Sequence, residues 1–202
     1  MNQILNSGKV IFMAMLLIWS HQGLCQKGYL PGYVVQQSGD TVRGLLRFDS
    51  ESRNASPCYF KQTEDAQPQT YTPGQITSFR FTNDAYFISR SIGRSADVFL
   101  EVVIRSHMTL YKFGDIFFLE KADSAFFELS DDTEVLMVEG QNVRKKSRNY
   151  VRLLNLLMAD CLEATRKIPT IPFREKPLIK LVLLYNTCVG HENKFYRSQM
   201  PQ

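Results

Sequence analysis

The chain has 202 residues, with 24 Lys and Arg against 20 Asp and Glu and a formal net charge of +4. That balance, with the basic residues dispersed, argues against a nucleic-acid partner held by bulk charge. The length suits one domain, or one core with a small appendage.

The first 25 residues read as an export signal. Lys9 is the only charged residue before the uninterrupted apolar run Val10 to Trp19, which Ser20-His21-Gln22 and Gly23-Leu24-Cys25 follow. A positive start, a short apolar segment and small residues just before the scissile bond are what a signal peptidase needs. Cleavage is therefore expected between Cys25 and Gln26. Ten apolar residues make only about 15 Å of helix, roughly half a bilayer core, which disfavours a retained anchor. Cys25 opens a second route, lipid attachment that would tether the protein to an outer membrane. That route wants a small residue just before the cysteine and an apolar one two places earlier, where Leu24 and Gln22 stand instead. Removing Lys9 with the signal leaves 23 basic against 20 acidic residues, a net charge of +3. Three cysteines then remain, Cys58, Cys161 and Cys188. A disulfide is permitted outside the cytoplasm, and an odd count leaves at least one thiol free or paired with another chain.

Residues 26–140 carry a β pattern. Tyr33 to Val35 and Thr41 to Phe48 flank Ser38-Gly39-Asp40, a hairpin signal. A polar stretch, 51–69, holds one short strand from Cys58 to Lys61, and Gln69 to Tyr71 looks extended before the turn Thr72-Pro73-Gly74. Ile76 to Phe81 and Ala85 to Ser89 form the next pair. Val98 to Arg105, Met108 to Phe113, Ile116 to Lys121 and Ala125 to Ser130 are separated by breaks too short for anything but antiparallel neighbours, so they form a meander. Their alternation is incomplete, which suggests a curved sheet or small barrel covered in part on both faces.

The period changes after Gly140. Asn149 to Ala164 places Tyr150, Leu153, Leu154, Leu157 and Cys161 at helical spacing, with Ser147 as the expected N-cap. Ile168-Pro169-Thr170-Ile171-Pro172 ends that helix. A second helix runs from Glu175 to Cys188, with Pro177 in its first turn and Gly190 as its stop. Arg144, Lys145, Lys146 and Arg148 read as a solvated turn or helix start. The expected architecture is α+β: a signal at 1–25, a β-rich body at 26–140, a helical pair at 141–191 packed on it and a frayed tail at 192–202.

Catalytic signatures are missing from the sequence. It has no Gly-rich phosphate loop, no H-E-x-x-H, no dinucleotide fingerprint and no G-x-S-x-G elbow. The histidines after the signal are His107, in a hairpin break, and His191. Cys188-Val189-Gly190-His191 has a C-x-x-H spacing, and Cys161 would add a third soft ligand without an evident fourth. Against that metal reading stand a Cys161–Cys188 disulfide, which would close a loop of about 27 residues for roughly 3 kcal/mol, and two free buried thiols. Cys58, beside Tyr59 and Phe60, reads as a half-buried strand thiol. No cofactor is implied, and Asp131-Asp132 reads as a polar turn.

Four segments together carry a resemblance: Lys27 to Leu46 (KGYLPGYVVQQSGDTVRGLL), Tyr71 to Phe81 (YTPGQITSFRF), Phe99 to Phe113 (FLEVVIRSHMTLYKF), and the helical pieces between Leu153 and Gly190. They resemble a family of exported, uncharacterised Bacteroidetes proteins in which a similar N-terminal region often precedes an outer-membrane β-barrel. Here the expected helices follow without a barrel. The resemblance implies location and architecture, and no activity. The resulting expectation is an exported cell-envelope module that binds an envelope protein or cell-surface component, in the periplasm or secreted, with peripheral membrane association open. The alternatives are a carrier with an apolar cavity in the β body, and an enzyme in which His107 or His191 meets carboxylates in a cleft.

Overall fold

Short β-branched and aromatic runs, broken by Gly, Asp and Asn turns, set the strands. The computed structural model describes residues 28–47, 57–82, 84–93, 97–122, 126–131, 133–138 and 141–196. Its strands are β1 (Tyr29–Gln36), β2 (Thr41–Arg47), β3 (Cys58–Lys61), β4 (Gln69–Tyr71), β5 (Ile76–Phe81), β6 (Tyr86–Ser91), β7 (Asp97–Arg105), β8 (Met108–Phe113), β9 (Ile116–Lys121), β10 (Phe126–Leu129), β11 (Thr133–Val138), β12 (Gln141–Lys146) and β13 (Lys194–Phe195). Helices α1 (Asn149–Leu157), α2 (Leu162–Lys167) and α3 (Glu175–Cys188) follow β12, with a 3-10 turn at Ile168–Thr170. The fold is α+β.

One antiparallel sheet runs in the order β10-β9-β8-β7-β6-β5-β1-β2-β3-β4, and β13 pairs with β7. Over the described residues it stays open, so the antiparallel β-rich body holds and the barrel does not. Among the described residues, strands β11 and β12 pair only with each other.

Side chains alternate across the pleat, and one face of the sheet carries two apolar lobes. Ile104, Met108, Leu110, Leu119 and Leu129 meet Leu154, Met158, Leu178, Leu181, Val182 and Tyr185 beneath the helices. Val34, Leu46, Phe60, Ile76, Phe79, Phe87 and Phe99 fill the other lobe. Its rings interlock: Phe79 stacks on Phe87 at 4.7 Å and meets Phe99 edge-on at 5.0 Å. Truncating one such side chain costs about 3–5 kcal/mol. Gly32 and Gly44 stand opposite one another in this lobe. A Cβ on Gly32 would lie 2.5 Å from the Leu46 side chain, and one on Gly44 would lie 2.6 Å from the Phe60 ring. The glycines thus leave room for larger neighbours to lie across the strands.

Four sequence readings are corrected. The β pattern continues past Gly140, because Gln141–Lys146 pairs with Thr133–Val138; Arg144, Lys145 and Lys146 belong to a strand. The helix expected over Asn149 to Ala164 divides between Leu157 and Leu162. Lys121 of β9 causes the break, donating to the Leu157 carbonyl at 2.9 Å and to Asp160 at 2.8 Å. A cation at those terminal carbonyls caps the helix from outside its own sequence. Ser147 is not the N-cap; Arg148 holds that place in left-handed backbone at φ 47°, with its guanidinium on the Pro169 carbonyl at 2.7 Å. The tail is not frayed over its first residues, since Lys194–Phe195 pairs with β7 and Tyr196 is buried.

Gly44→Ala is expected to destabilise the protein by about 1–3 kcal/mol through overpacking against the Lys61 carbonyl and the Phe60 ring. Gly28→Ala, whose Cβ would meet nothing within 4 Å, should be near neutral. Urea unfolding of the two variants checks this.

Candidate functional site

Cys161 and Cys188 are joined as a disulfide, with Cα atoms 6.1 Å apart. The helix break makes this possible. Cys161 does not ride late on α1; it is the extended residue that opens α2, where its sulfur accepts from the Ala164 amide at 3.3 Å. The bond ties the start of α2 to the end of α3, and it removes both sulfurs from a metal-ligand set with His191. Cys58 is buried, only 3 % exposed, rather than half-buried. Burial pushes its thiol up to about 12, so it is a poor nucleophile. Cys25 and Gln26 lie outside the described residues.

The two histidines meet each other. His107 and His191 stack at 4.6 Å with ring planes 7° apart, and His107 lies 6.3 Å from Tyr185. The Tyr185 hydroxyl reaches Asp160 at 3.1 Å, and Lys121 holds the same carboxylate. That ion pair keeps the Asp160 carboxyl below its ordinary value. The neighbouring Asn186 side chain accepts from the Met108 amide at 2.8 Å and donates to its carbonyl at 3.0 Å. These contacts stitch the end of α3 to the β7–β8 hairpin and the end of α1. Lys121 and Asn186 are spent on element termini, which gives the cluster a structural role.

Among the described residues, no helix packs on the other face of the sheet. Cross-strand pairing places Arg43, Tyr33, Arg80, Tyr86, Val102, Tyr111 and Phe118 in one row across seven strands. Directly opposed residues share a face, so the side chains of this row stand together. Tyr196 lies beside it, 4.9 Å from the Tyr86 ring and 4.8 Å beneath the Arg80 guanidinium. A bulge between Val102 and Ile104 shifts the register of β7. It keeps Ile104 in the helix-side core and turns Arg105 onto the opposite face. Arg105 is exposed. Burial works against its charge, but the Tyr196, Tyr86 and Tyr111 phenols hold its pKa above the ordinary value.

At one end of this face Arg90 grips Glu120 with two bonds, 2.9 and 2.6 Å, and the Tyr111 hydroxyl donates to the same carboxylate. Burial opposes the Glu120 charge, yet the Arg90 and Tyr111 hydrogen bonds pull its pKa below the ordinary value. Arg90 also stands over the Phe126 ring at 4.5 Å. Arg43, Arg80 and Arg105 make no salt bridge within the described residues. Two of the guanidiniums on this face, Arg80 and Arg90, thus stand over aromatic rings, and cations are in excess. Sequence reasoning missed it. Tyr86 and Arg90 fall on alternate positions of one strand, but only the register shows that Arg80, Tyr111 and Arg105 join them.

A cleft of about 550 Å³ lies between β10 and α1, lined by Glu128, Ser130, Asn149, Tyr150, Arg152, Leu153 and Leu156. Inside the β body, the space beside Phe79 and Phe81 is only about 10 Å³, roughly room for one water. The aromatic lobe is filled by its own side chains.

Glu120 supplies a pH test. Its folded pKa is depressed, so its contribution is present above its unfolded value near 4.3 and is lost as pH falls through the folded value. Glu120→Gln should cost about 1 kcal/mol at neutral pH, and the difference from the parent should shrink on acidification below about pH 4. Thermal unfolding across pH 2–7 measures it. In protein starting at Gln26, alkylation should find no reactive thiol when folded, one after unfolding and three after unfolding with reductant.

No protein-family profile matches the chain, and no curated protein or solved structure is significantly similar to it.

Proposed function

We propose that the protein is an exported, non-enzymatic binding module of the cell envelope that engages its partner through the helix-free face of the sheet. The observation carrying this reading is the row of arginines and tyrosines on that face. Tyr and Arg are the residues that most often anchor interfaces, and rings that hold guanidiniums in place reduce the entropy lost on binding. Export is supported by the signal-like first 25 residues and by the Cys161–Cys188 disulfide, a bond of oxidising compartments. No helix among the described residues is long and apolar enough to cross a membrane. The family resemblance points to the same location.

The carrier reading has less support, because the space beside Phe79 and Phe81 is only about 10 Å³ and the rings of Phe79, Phe87 and Phe99 pack on one another. The enzyme reading needs an imidazole facing a carboxylate in a cleft; His107 instead stacks between His191 and Tyr185.

Immobilised protein incubated with an envelope fraction should capture a partner that the Arg80→Ala/Arg105→Ala variant retains at least tenfold less well. Equal capture by the variant, or a substrate turned over at enzymatic rates, contradicts the reading.

A further inference from the structure

We infer that the partner of the helix-free face is a linear acidic polysaccharide in which charged and neutral sugars alternate. The inference rests on the binding reading above and deepens it.

The register carries the argument. Arg43, Tyr33, Arg80 and Tyr86 are successive cross-strand neighbours, so cation and phenol alternate along a line perpendicular to the strands. Neighbouring strands lie about 4.8 Å apart, so Arg43 and Arg80, two strands apart, recur at about 10 Å. Arg105 stands on the same face, with Tyr196 as a neighbour. None of the three arginines has a carboxylate partner among the described residues. The nearby Glu120 is already taken by Arg90 and Tyr111.

A guanidinium held over a ring presents its N–H edge outward, the edge that takes a carboxylate through two parallel bonds. An extended polymer with a charge on every unit would set anions over the tyrosines as well as the arginines. One with a charge on alternate units sets carboxylates over arginines and hydroxyl-rich neutral units over phenols, which donate and accept hydrogen bonds. Beyond Tyr86 the row is buried at Val102, Tyr111 and Phe118 and ends on Glu128, which repels an anionic chain, so the accessible stretch is Arg43 to Tyr86.

The test is calorimetric titration of the folded protein with a hyaluronan decasaccharide, an alternation of glucuronate and a neutral N-acetylated sugar. Controls are a neutral chitin oligomer of equal length and a poly-glutamate peptide. Hyaluronan should bind, the neutral oligomer should bind at least tenfold more weakly, and poly-glutamate likewise. Arg80→Ala/Arg105→Ala should weaken hyaluronan at least tenfold, and the Lys pair should restore part of the loss, since an ammonium lacks the fork. Arg43→Ala, on an exposed position, is the second variant should the double variant fail to fold. Absence of hyaluronan binding, equal binding of the neutral oligomer, or equal binding of poly-glutamate overturns the glycan assignment. If hyaluronan fails while the arginine variants still abolish capture from the envelope fraction, the glycan class falls and the binding face stands. If the variants leave capture intact, the binding face falls too.

Discussion

Strand β7 must satisfy two buried faces at once, and the rest of the molecule is arranged around that constraint. Phe99 belongs to the aromatic lobe, Val103 and Ile104 to the core beneath the helices, and Leu100 and Val102 to the opposite face. A regular strand would alternate Ile104 outward and Arg105 inward. The bulge beside Val103 reverses that, so the apolar residue stays under α3 and the charge goes to the surface. Beyond the end of β6 the same strand has an open edge, which Lys194 and Phe195 occupy. That pairing brings Tyr196 down between Tyr86 and Arg80. The helical cap, the return of the C-terminal segment and the arginine face thus share one strand.

The helices are fixed to the sheet by a few polar contacts rather than by propensity alone. Lys121 ends α1, Asn186 takes both backbone groups of Met108, and Lys112 pairs with Glu175 at the start of α3. The Cys161–Cys188 bond then restrains α2 against α3.

The parts of the fold that depend on local pattern were legible in the sequence. Breaks as short as Ser106-His107 and Gly114-Asp115 leave no topology for β7 to β9 other than a meander, and α3 begins and ends where Glu175, Pro177 and Gly190 place it. What depended on distant residues was not. The interruption at Met158 to Cys161 is imposed by a lysine from β9, so periodicity carries through it. A two-residue strand such as β13 has no pattern of its own and exists because β7 offers an edge. The arginine face was invisible for the same reason: its members come from β2, β5, β6 and β7, and a bulge decides whether Arg105 belongs. Cysteine spacing leaves the disulfide as one of several options, and its geometry is not legible there, because helical period carries Cys161 onto α1 rather than to the start of α2.

The central claim is that the helix-free face, and not the helical side, meets the partner. Amide hydrogen exchange of the protein with and without its captured envelope component tests it most directly. The account predicts added protection in β1, β2, β5 and β6 and in residues 194–196. Protection confined to α1 and the cleft around Leu153 and Leu156 would contradict it.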